Sequence, residues 1–252
     1  MYASILRNRL TIITEVILSE VQHGFRKGRS CSDCIFSLTQ LIEKRREFNL
    51  PTYLAFIDYE KAFDKVDRGQ LWSIMLRKGI PQHLIKAIQS LYVENKILIE
   101  TPNISKDPKT ESINCGVRQG CPLAPALFNV YMDEIIQEWQ RNLKSNFTIG
   151  KWAFNTLLFA DDQVIIADSE DNLQIGVHSL NKISKKFNLQ ISITKTKVLA
   201  FAGVNPIRAK ILIDNTIIEQ VSSFNYLGYS LTYNRSNDID NKIGKYIHMC
   251  AT

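Results

Sequence analysis

The chain has 252 residues, 45% of them apolar, which is enough for one large domain or two coupled subdomains. Lys and Arg number 31 against 25 Asp and Glu, and the resulting charge of +6 suits a polyanionic partner without requiring one. No run approaches the ~18 apolar residues of a membrane-spanning helix, so nothing predicts contact with a membrane. The apolar-periodic start carries Arg7, Arg9 and Glu15 and lacks a small-residue cleavage site, so it reads as an amphipathic helix and not a signal peptide.

That helix is expected from Met1 to about Ser19. Ser30 caps a second one to about Phe48, and Pro51 introduces a strand over 52–58. Asp67 caps a helix through about Lys78, with Leu71, Trp72, Met75 and Leu76 as its expected buried face. Gly79 ends that helix, and Pro81 begins another to about Val93. Strands near 95–100 and 110–115 follow, then a strongly periodic helix from Pro122 to Arg141. Apolar runs on both sides of Asp161-Asp162 predict a strand hairpin over 153–168, and a helix runs from about Asp171 to Phe187. Shorter strands are expected near 190–193, 197–201, 211–213 and 224–231, with a final helix near Ser236. Helices and strands alternate without βαβ regularity. The expected class is therefore α+β, an antiparallel sheet with helices packed on one face.

The acidic pair carries the chemistry. Asp161 and Asp162 lie between apolar strands, and adjacent acids there repel each other unless cations neutralise them. Asp58 ends a third apolar run, Tyr53 to Ile57, which a sheet would set alongside. Three such carboxylates suit a pair of divalent metals roughly 3.5–4 Å apart, the arrangement for in-line attack at phosphorus. A hairpin turn merely rich in Asp is the alternative. Asp64, Asp67, Asp168 and Asp171 read as turn or helix-start residues. Basic residues cluster at Arg26, Lys27 and Arg29, then at Lys44, Arg45 and Arg46, where a solvated helix face would look the same. Five cysteines, an odd number, point to a reduced intracellular protein. Cys31 and Cys34 have zinc-like spacing, but no second pair lies at finger distance, so they read as the start of a helix. The four histidines form no cluster and receive no metal role.

The motifs, taken together, resemble the reverse transcriptases of non-LTR (LINE-type) retrotransposons. Phe56-Ile57-Asp58-Tyr59-Glu60-Lys61-Ala62-Phe63-Asp64-Lys65-Val66 resembles their motif A, and Gly116 through Asn129 their motif B, with Gln119-Gly120-Cys121-Pro122-Leu123 at its centre. Phe159-Ala160-Asp161-Asp162 resembles motif C. Leu189-Gln190-Ile191 with Lys195-Thr196-Lys197 resembles motif D, and Phe224-Asn225-Tyr226-Leu227-Gly228 the primer-grip motif E. Upstream, Gln22-His23-Gly24-Phe25-Arg26-Lys27-Gly28-Arg29-Ser30 is similar to the fingers segment before motif A. The order is the family's own, from about the first residue to about residue 232.

The resemblance implies a right-hand polymerase palm with partial fingers. Residues 1–50 would be partial fingers, 51–222 the palm with inserted finger-like strands near 95–115, and 223–252 the primer grip and the start of the thumb connection. It implies RNA-directed DNA synthesis, in which a DNA primer on an RNA template is extended with deoxynucleoside triphosphates using two Mg²⁺ ions or Mn²⁺ in their place. Asp58, Asp161, Asp162 and the backbone carbonyl of Tyr59 would hold the metals, and Lys195 would act as the proton donor to pyrophosphate. Phe63, Gln119 and Gly120 would shape the nucleotide pocket, with Phe63 excluding a 2′-hydroxyl. Arg26, Lys27 and Arg29 would meet the template, and Phe224, Tyr226, Leu227 and Gly228 the primer end.

Ala124, Asn188 and Ser192 depart from the family's usual Ser, Gly and Asn. The family's earlier Tyr-Arg-Pro-Ile segment, a full thumb and an endonuclease have no counterpart here, so the resemblance is to an N- and C-terminally incomplete domain. Two other readings stay open: a non-catalytic RNA-binding remnant of a retroelement, and a group II intron-type reverse transcriptase. The Ala62-Phe63-Asp64 and Gly120-Cys121-Pro122-Leu123 wording fits the second less well. A nuclear location rests on the resemblance alone, and the oligomeric state is left open.

Overall fold

The computed structural model describes residues 1–93, 115–143 and 155–232, together with the backbone of 96–99, 109–112, 148–149 and 152–153. The helix expected near Ser236 and the thumb connection lie outside the described residues.

In chain order, helices α1 (Tyr2–Ile17) and α2 (Cys31–Glu47) precede strand β1 (Pro51–Ile57). Three helices follow, α3 (Ala62–Lys65), α4 (Arg68–Arg77) and α5 (Gln82–Ser90), then the hairpin β2 (Lys96–Ile99) and β3 (Lys109–Ser112). The long helix α6 (Ala124–Asn142) leads to the short pair β4 (Thr148–Ile149) and β5 (Trp152–Ala153), then to the hairpin β6 (Thr156–Phe159) and β7 (Asp162–Ala167). Helix α7 (Glu170–Lys186), β8 (Lys197–Ala202), β9 (Asn205–Pro206), β10 (Leu212–Ile213), β11 (Thr216–Ile217) and β12 (Glu219–Gln220) lead to a last hairpin, β13 (Ser223–Tyr226) and β14 (Tyr229–Thr232).

The caps work as their residue types dictate. Asp33 accepts from the Ser30 backbone at 2.7 Å, the Asp67 carboxylate takes the Gln70 N–H at 2.9 Å, and the Ser169 hydroxyl takes that of Asn172 at 3.2 Å. On α4 the buried face is Leu71, Ile74 and Met75, with Trp72 half-buried. Leu76, expected inside, is exposed, because the helix turns Ile74 toward the core instead. The strand expected near 190–193 reduces to a single bridge, Tyr59 with Ile191. The chain leaves the ladder in a tight turn closed by Thr196 N–H on the Ser192 carbonyl at 2.9 Å.

The main sheet has the order β12-β8-β1-β7-β6, with β9 beside β8. Its pairings are antiparallel except β12 with β8. β1 is central, and its six residues after Pro51 are buried, which is why it reads as a continuous apolar run. Tyr53, Ala55 and Ile57 face a core shared with α1, α4, α5, α6 and α7. Leu54 and Phe56 face the opposite way, onto Cys34, Leu38, Leu41 and Ile42 of α2 and onto the β13–β14 hairpin. The sheet is thus covered on both faces, one by most of the helices and the other by α2 and a hairpin. Among the described residues no helix is long and apolar enough to cross a membrane.

Trp139 on α6 locks the larger core. It is fully buried, and its indole N–H donates to the Gly176 carbonyl of α7 at 2.8 Å. Trp139→Ala should remove this bond and leave a cavity, lowering stability by about 3–5 kcal/mol in chemical denaturation.

Candidate active site

Phe159 pairs with Asp162, so Ala160 and Asp161 form a two-residue turn between β6 and β7, with Ala160 at φ 60°. β1 runs antiparallel to β7 with Ile57 opposite Gln163, which brings Asp58, one residue beyond, beside Asp162. The backbone of Asp58 is then pinned by the following turn. Its carbonyl accepts from Ser192 N at 2.8 Å, and its N–H reaches Thr196 Oγ1 at 3.3 Å. That turn also sets Lys195 at the site, with Nζ 3.6 Å from Asp58 Oδ1.

A cleft of about 720 Å³ brings together Asp58, Tyr59, Phe63, Gln119, Gly120, Asp161 and Lys195. Asp162 opens onto a small adjoining space that it shares with Asp58, Lys195, Phe224 and Tyr226. Asp58 thus borders both spaces, with Asp161 on the larger and Asp162 on the smaller. Asp162 is pushed up to about 6 by loss of water around it, then by the charges of Asp161 and Asp58. Asp161 is likewise raised by desolvation and by Asp58, against an opposing pull from Lys195. Asp58 Oδ1 is buried without a hydrogen bond. Crowded carboxylate oxygens with an unmet acceptor are the donor set of a hard divalent cation. Among the described residues no three His, Cys, Asp or Glu side chains are gathered tightly enough to hold an ion in the rotamers present. Tyr59 keeps its ring in the core, its hydroxyl 3.1 Å from Gln163 Oε1. The two bonds of its bridge, Glu60 N to Gln190 O and Ser192 N to Asp58 O, leave the Tyr59 carbonyl unengaged by that bridge.

The floor of the cleft is stitched from two distant segments. Gly116 donates to Val66 O at 2.8 Å and Val117 to Phe63 O at 2.9 Å, while Arg68 holds the Gly116 and Cys115 carbonyls. Gly116 sits at φ 79°, and a Cβ there would lie 2.8 Å from Asp64 O, so only glycine fits. Phe63 stacks on Phe128 with centroids 4.2 Å apart. The Gln119 amide donates to Asp64 Oδ1 at 3.0 Å, which gives Asp64 a positioning contact beyond the turn role read from the sequence.

Two of the departures from the family's wording are accommodated by local backbone geometry. Asn188 adopts φ 55°, a left-handed conformation Asn tolerates, and bonds Lys65 O at 2.9 Å. Ser192 uses its backbone N–H, which any residue but proline supplies.

The structure divides the basic cluster and corrects the reading of Arg26. Arg26 does not face a template: it is buried, paired with Glu15 at 2.8 Å and bonded to the Ser19 and Gln22 carbonyls. A guanidinium presents several donors, and the chain's own turn uses them. Arg29 is half-buried against Glu20, whereas Lys27 is exposed. On the other side of the sheet, Phe224 stacks on Phe56 at 4.2 Å and Tyr226 is buried beside it. Leu227 and Gly228 make the hairpin turn with φ of 50° and 82°.

Sequence reasoning gave no role to Gln22, Gly24 or Thr196. Gln22 bonds Ala160, 138 residues away, and no local pattern announces such a partner.

Residues 1–231 match the family described as reverse transcriptase (RNA-dependent DNA polymerase). Over 184 residues the chain is 28% identical to a retrovirus-related Pol polyprotein from the type-1 retrotransposable element R2 of Nasonia vitripennis, covering 73% of this chain and 18% of that protein. The R2 Pol polyprotein of Popillia japonica is 27% identical over 237 residues, 89% of this chain and 32% of its own. The chain thus spans less than a third of the length of these relatives. The apo telomerase of Candida tropicalis, truncated from its C-terminal domain, superimposes with a TM-score of 0.65 at 12% identity, over 91% of this chain and 43% of that one. That likeness shows the fold, a polymerase palm with fingers.

The raised Asp162 gives a pH dependence whose sign is fixed. Its proton is held more tightly in the folded chain than in the unfolded one, so the metal-free protein gains stability from this group as pH falls through about 6 toward the ordinary value of 3.8. Asp162→Asn should accordingly raise the melting temperature of the metal-free chain more at pH 7.5 than at pH 4.5, as read by circular dichroism.

Proposed function

Because the chain belongs to the reverse transcriptase family, matched over residues 1–231, we propose that its cleft carries out RNA-directed DNA synthesis, adding deoxynucleotides to a DNA primer on an RNA template. The observation that carries this reading is the meeting of Asp58 and Asp161, from separate motifs, on one cleft with Gln119, Gly120 and Lys195. Asp58, Asp161, Asp162 and the Tyr59 carbonyl would hold two Mg²⁺ ions, or Mn²⁺ in their place. Bound there, such a pair activates a 3′-hydroxyl and steadies departing pyrophosphate.

The chain's own residues then have distinct tasks. Phe63, backed by Phe128, cannot retreat from a sugar without breaking its stack, so it walls the pocket against a 2′-hydroxyl. Gly120, at φ 77° with nothing near a would-be Cβ, lets a nucleotide approach the backbone closely. Gln119, oriented by Asp64, offers an amide beside it. Lys195 is 69% exposed and only loosely paired, 3.6 Å from Asp58 Oδ1, so its ammonium can swing to the leaving group and give it a proton. Lys27 and Arg29 would touch template phosphates, while Phe224, Tyr226, Leu227 and Gly228 form a primer-side wall. In this reading residues 1–50 belong to the fingers, 51–222 to the palm, and the segment from 223 to the primer grip.

Asp161→Asn should abolish primer extension on an RNA template, because it removes a charged oxygen ligand that both metals of the pair depend on. RNA–DNA duplex binding, which weakens as salt rises, should stay nearly unchanged. Extension that survives this change would defeat the assignment. Phe63→Ala should narrow the preference for deoxy- over ribonucleotides, read as the ratio of kcat/KM values for the two. An unchanged ratio would remove Phe63 from the sugar pocket.

A further inference from the structure

The turn that carries Asp161 and Asp162 is held from outside its own hairpin. The segment before α2 runs beside β6: Leu158 N donates to Val21 O at 2.9 Å and His23 N to Leu158 O at 2.8 Å. Beyond Leu158 the ladder continues through a side chain. The Gln22 amide, 2% exposed, accepts from Ala160 N at 3.0 Å and donates to Ala160 O at 3.2 Å, taking both polar groups of one residue as an opposing strand would. The same Gln22 oxygen accepts from Gly24 N at 2.9 Å, and the Gly24 carbonyl accepts from Asn129 Nδ2 of α6 at 2.7 Å. Gly24 itself presses on the turn, where a Cβ would lie 2.3 Å from Ala160 N.

We infer that Gln22, with Gly24 behind it, is a positioning clamp that fixes the Ala160-Asp161 turn and so the spacing of the metal-holding carboxylates. The turn needs such a clamp. Ala160 sits in the left-handed region that alanine disfavours, and the adjacent acids repel each other, so an unrestrained turn relaxes by spreading them. Metal ligands tolerate about 0.5 Å of such drift. Only a side chain with a donor and an acceptor side by side satisfies both polar groups of Ala160. Leucine matches the shape but neither bond.

The inference rests on the reading of Asp161 and Asp162 as metal ligands, and the experiment separates the two. Wild type, Gln22→Leu, Gly24→Ala and Asp161→Asn chains are compared by residue-resolved amide hydrogen exchange without metal, and by Mn²⁺ titration followed by electron paramagnetic resonance. In both Gln22→Leu and Gly24→Ala the Ala160 amide should exchange at least tenfold faster, while Leu54 of β1 and Leu199 of β8 keep their protection. Mn²⁺ should bind at least tenfold more weakly. Gln22→Met keeps an unbranched chain of glutamine's length, lacks both bonds and decides the matter, by the same two readouts, if Gln22→Leu or Gly24→Ala does not fold. Unchanged exchange at Ala160 overturns the clamp. Equal acceleration throughout β1 and β8 reduces it to general stability and overturns it as well. Mn²⁺ affinity that holds while Ala160 loosens overturns the positioning role. Mn²⁺ binding that is absent from wild type, or indifferent to Asp161→Asn, defeats the metal reading instead, and the Ala160 exchange still decides whether Gln22 holds the turn.

Discussion

The antiparallel register of β1 against β7 governs the site. With Ile57 opposite Gln163, the residue beyond the end of β1 and the first residue of β7 are both acids, and they emerge side by side. A slip of one residue would turn Leu54 and Phe56 toward the large helical core and Tyr53, Ala55 and Ile57 toward α2, inverting both cores at once. Burial on both faces of β1 therefore protects the spacing of the carboxylates. The hydrophobic effect sets the register, and the register sets the electrostatics.

Those electrostatics are unfavourable by themselves, and backbone strain adds to them. Lys61 lines the cleft, Ala160 forms the acidic turn and Leu227 turns the β13–β14 hairpin, each at positive φ without being glycine. Such conformations persist where surrounding contacts over-determine them. Here the contacts are identifiable: Gln22 and Gly24 against Ala160, Ser192 and Thr196 on Asp58, and the tight two-residue closure of β13 and β14 at Leu227. Segments far apart in the chain, before α2 and after α7, thus serve the same few acids.

The distribution of positive charge shows how little net charge says about a binding surface. Arg26 is spent on Glu15 and backbone carbonyls, Arg45 on Thr52 and Pro51, and Arg68 on Gly116 and Cys115. These guanidiniums act as internal braces, a use suited to their several donors in a planar fork. Lys195 and Lys27, single ammoniums on flexible stems, remain exposed. Lysine can serve as a brace too: Lys78, nearly buried, pairs with the fully buried Asp133 carboxylate at 2.6 Å.

The sequence by itself determined whatever depends on near neighbours. The apolar run of β1, the turn at Asp161 and the caps at Ser30 and Asp67 were legible, because each is written in residues a few positions apart; local motifs singled out Asp58, Gln119, Asp161 and Lys195 one by one, and only the closed sheet set them on one cleft. The tertiary structure decided what depends on partners distant in the chain. It turned Ile74 inward and Leu76 outward, covered the second face of the sheet with α2 and a hairpin, buried Arg26, and gave Gln22 its hold on Ala160. A glutamine or an arginine looks the same in sequence whether it faces water, a phosphate or another stretch of backbone. Its hydrogen bonds are assigned only when the sheet has closed and distant strands have chosen their neighbours.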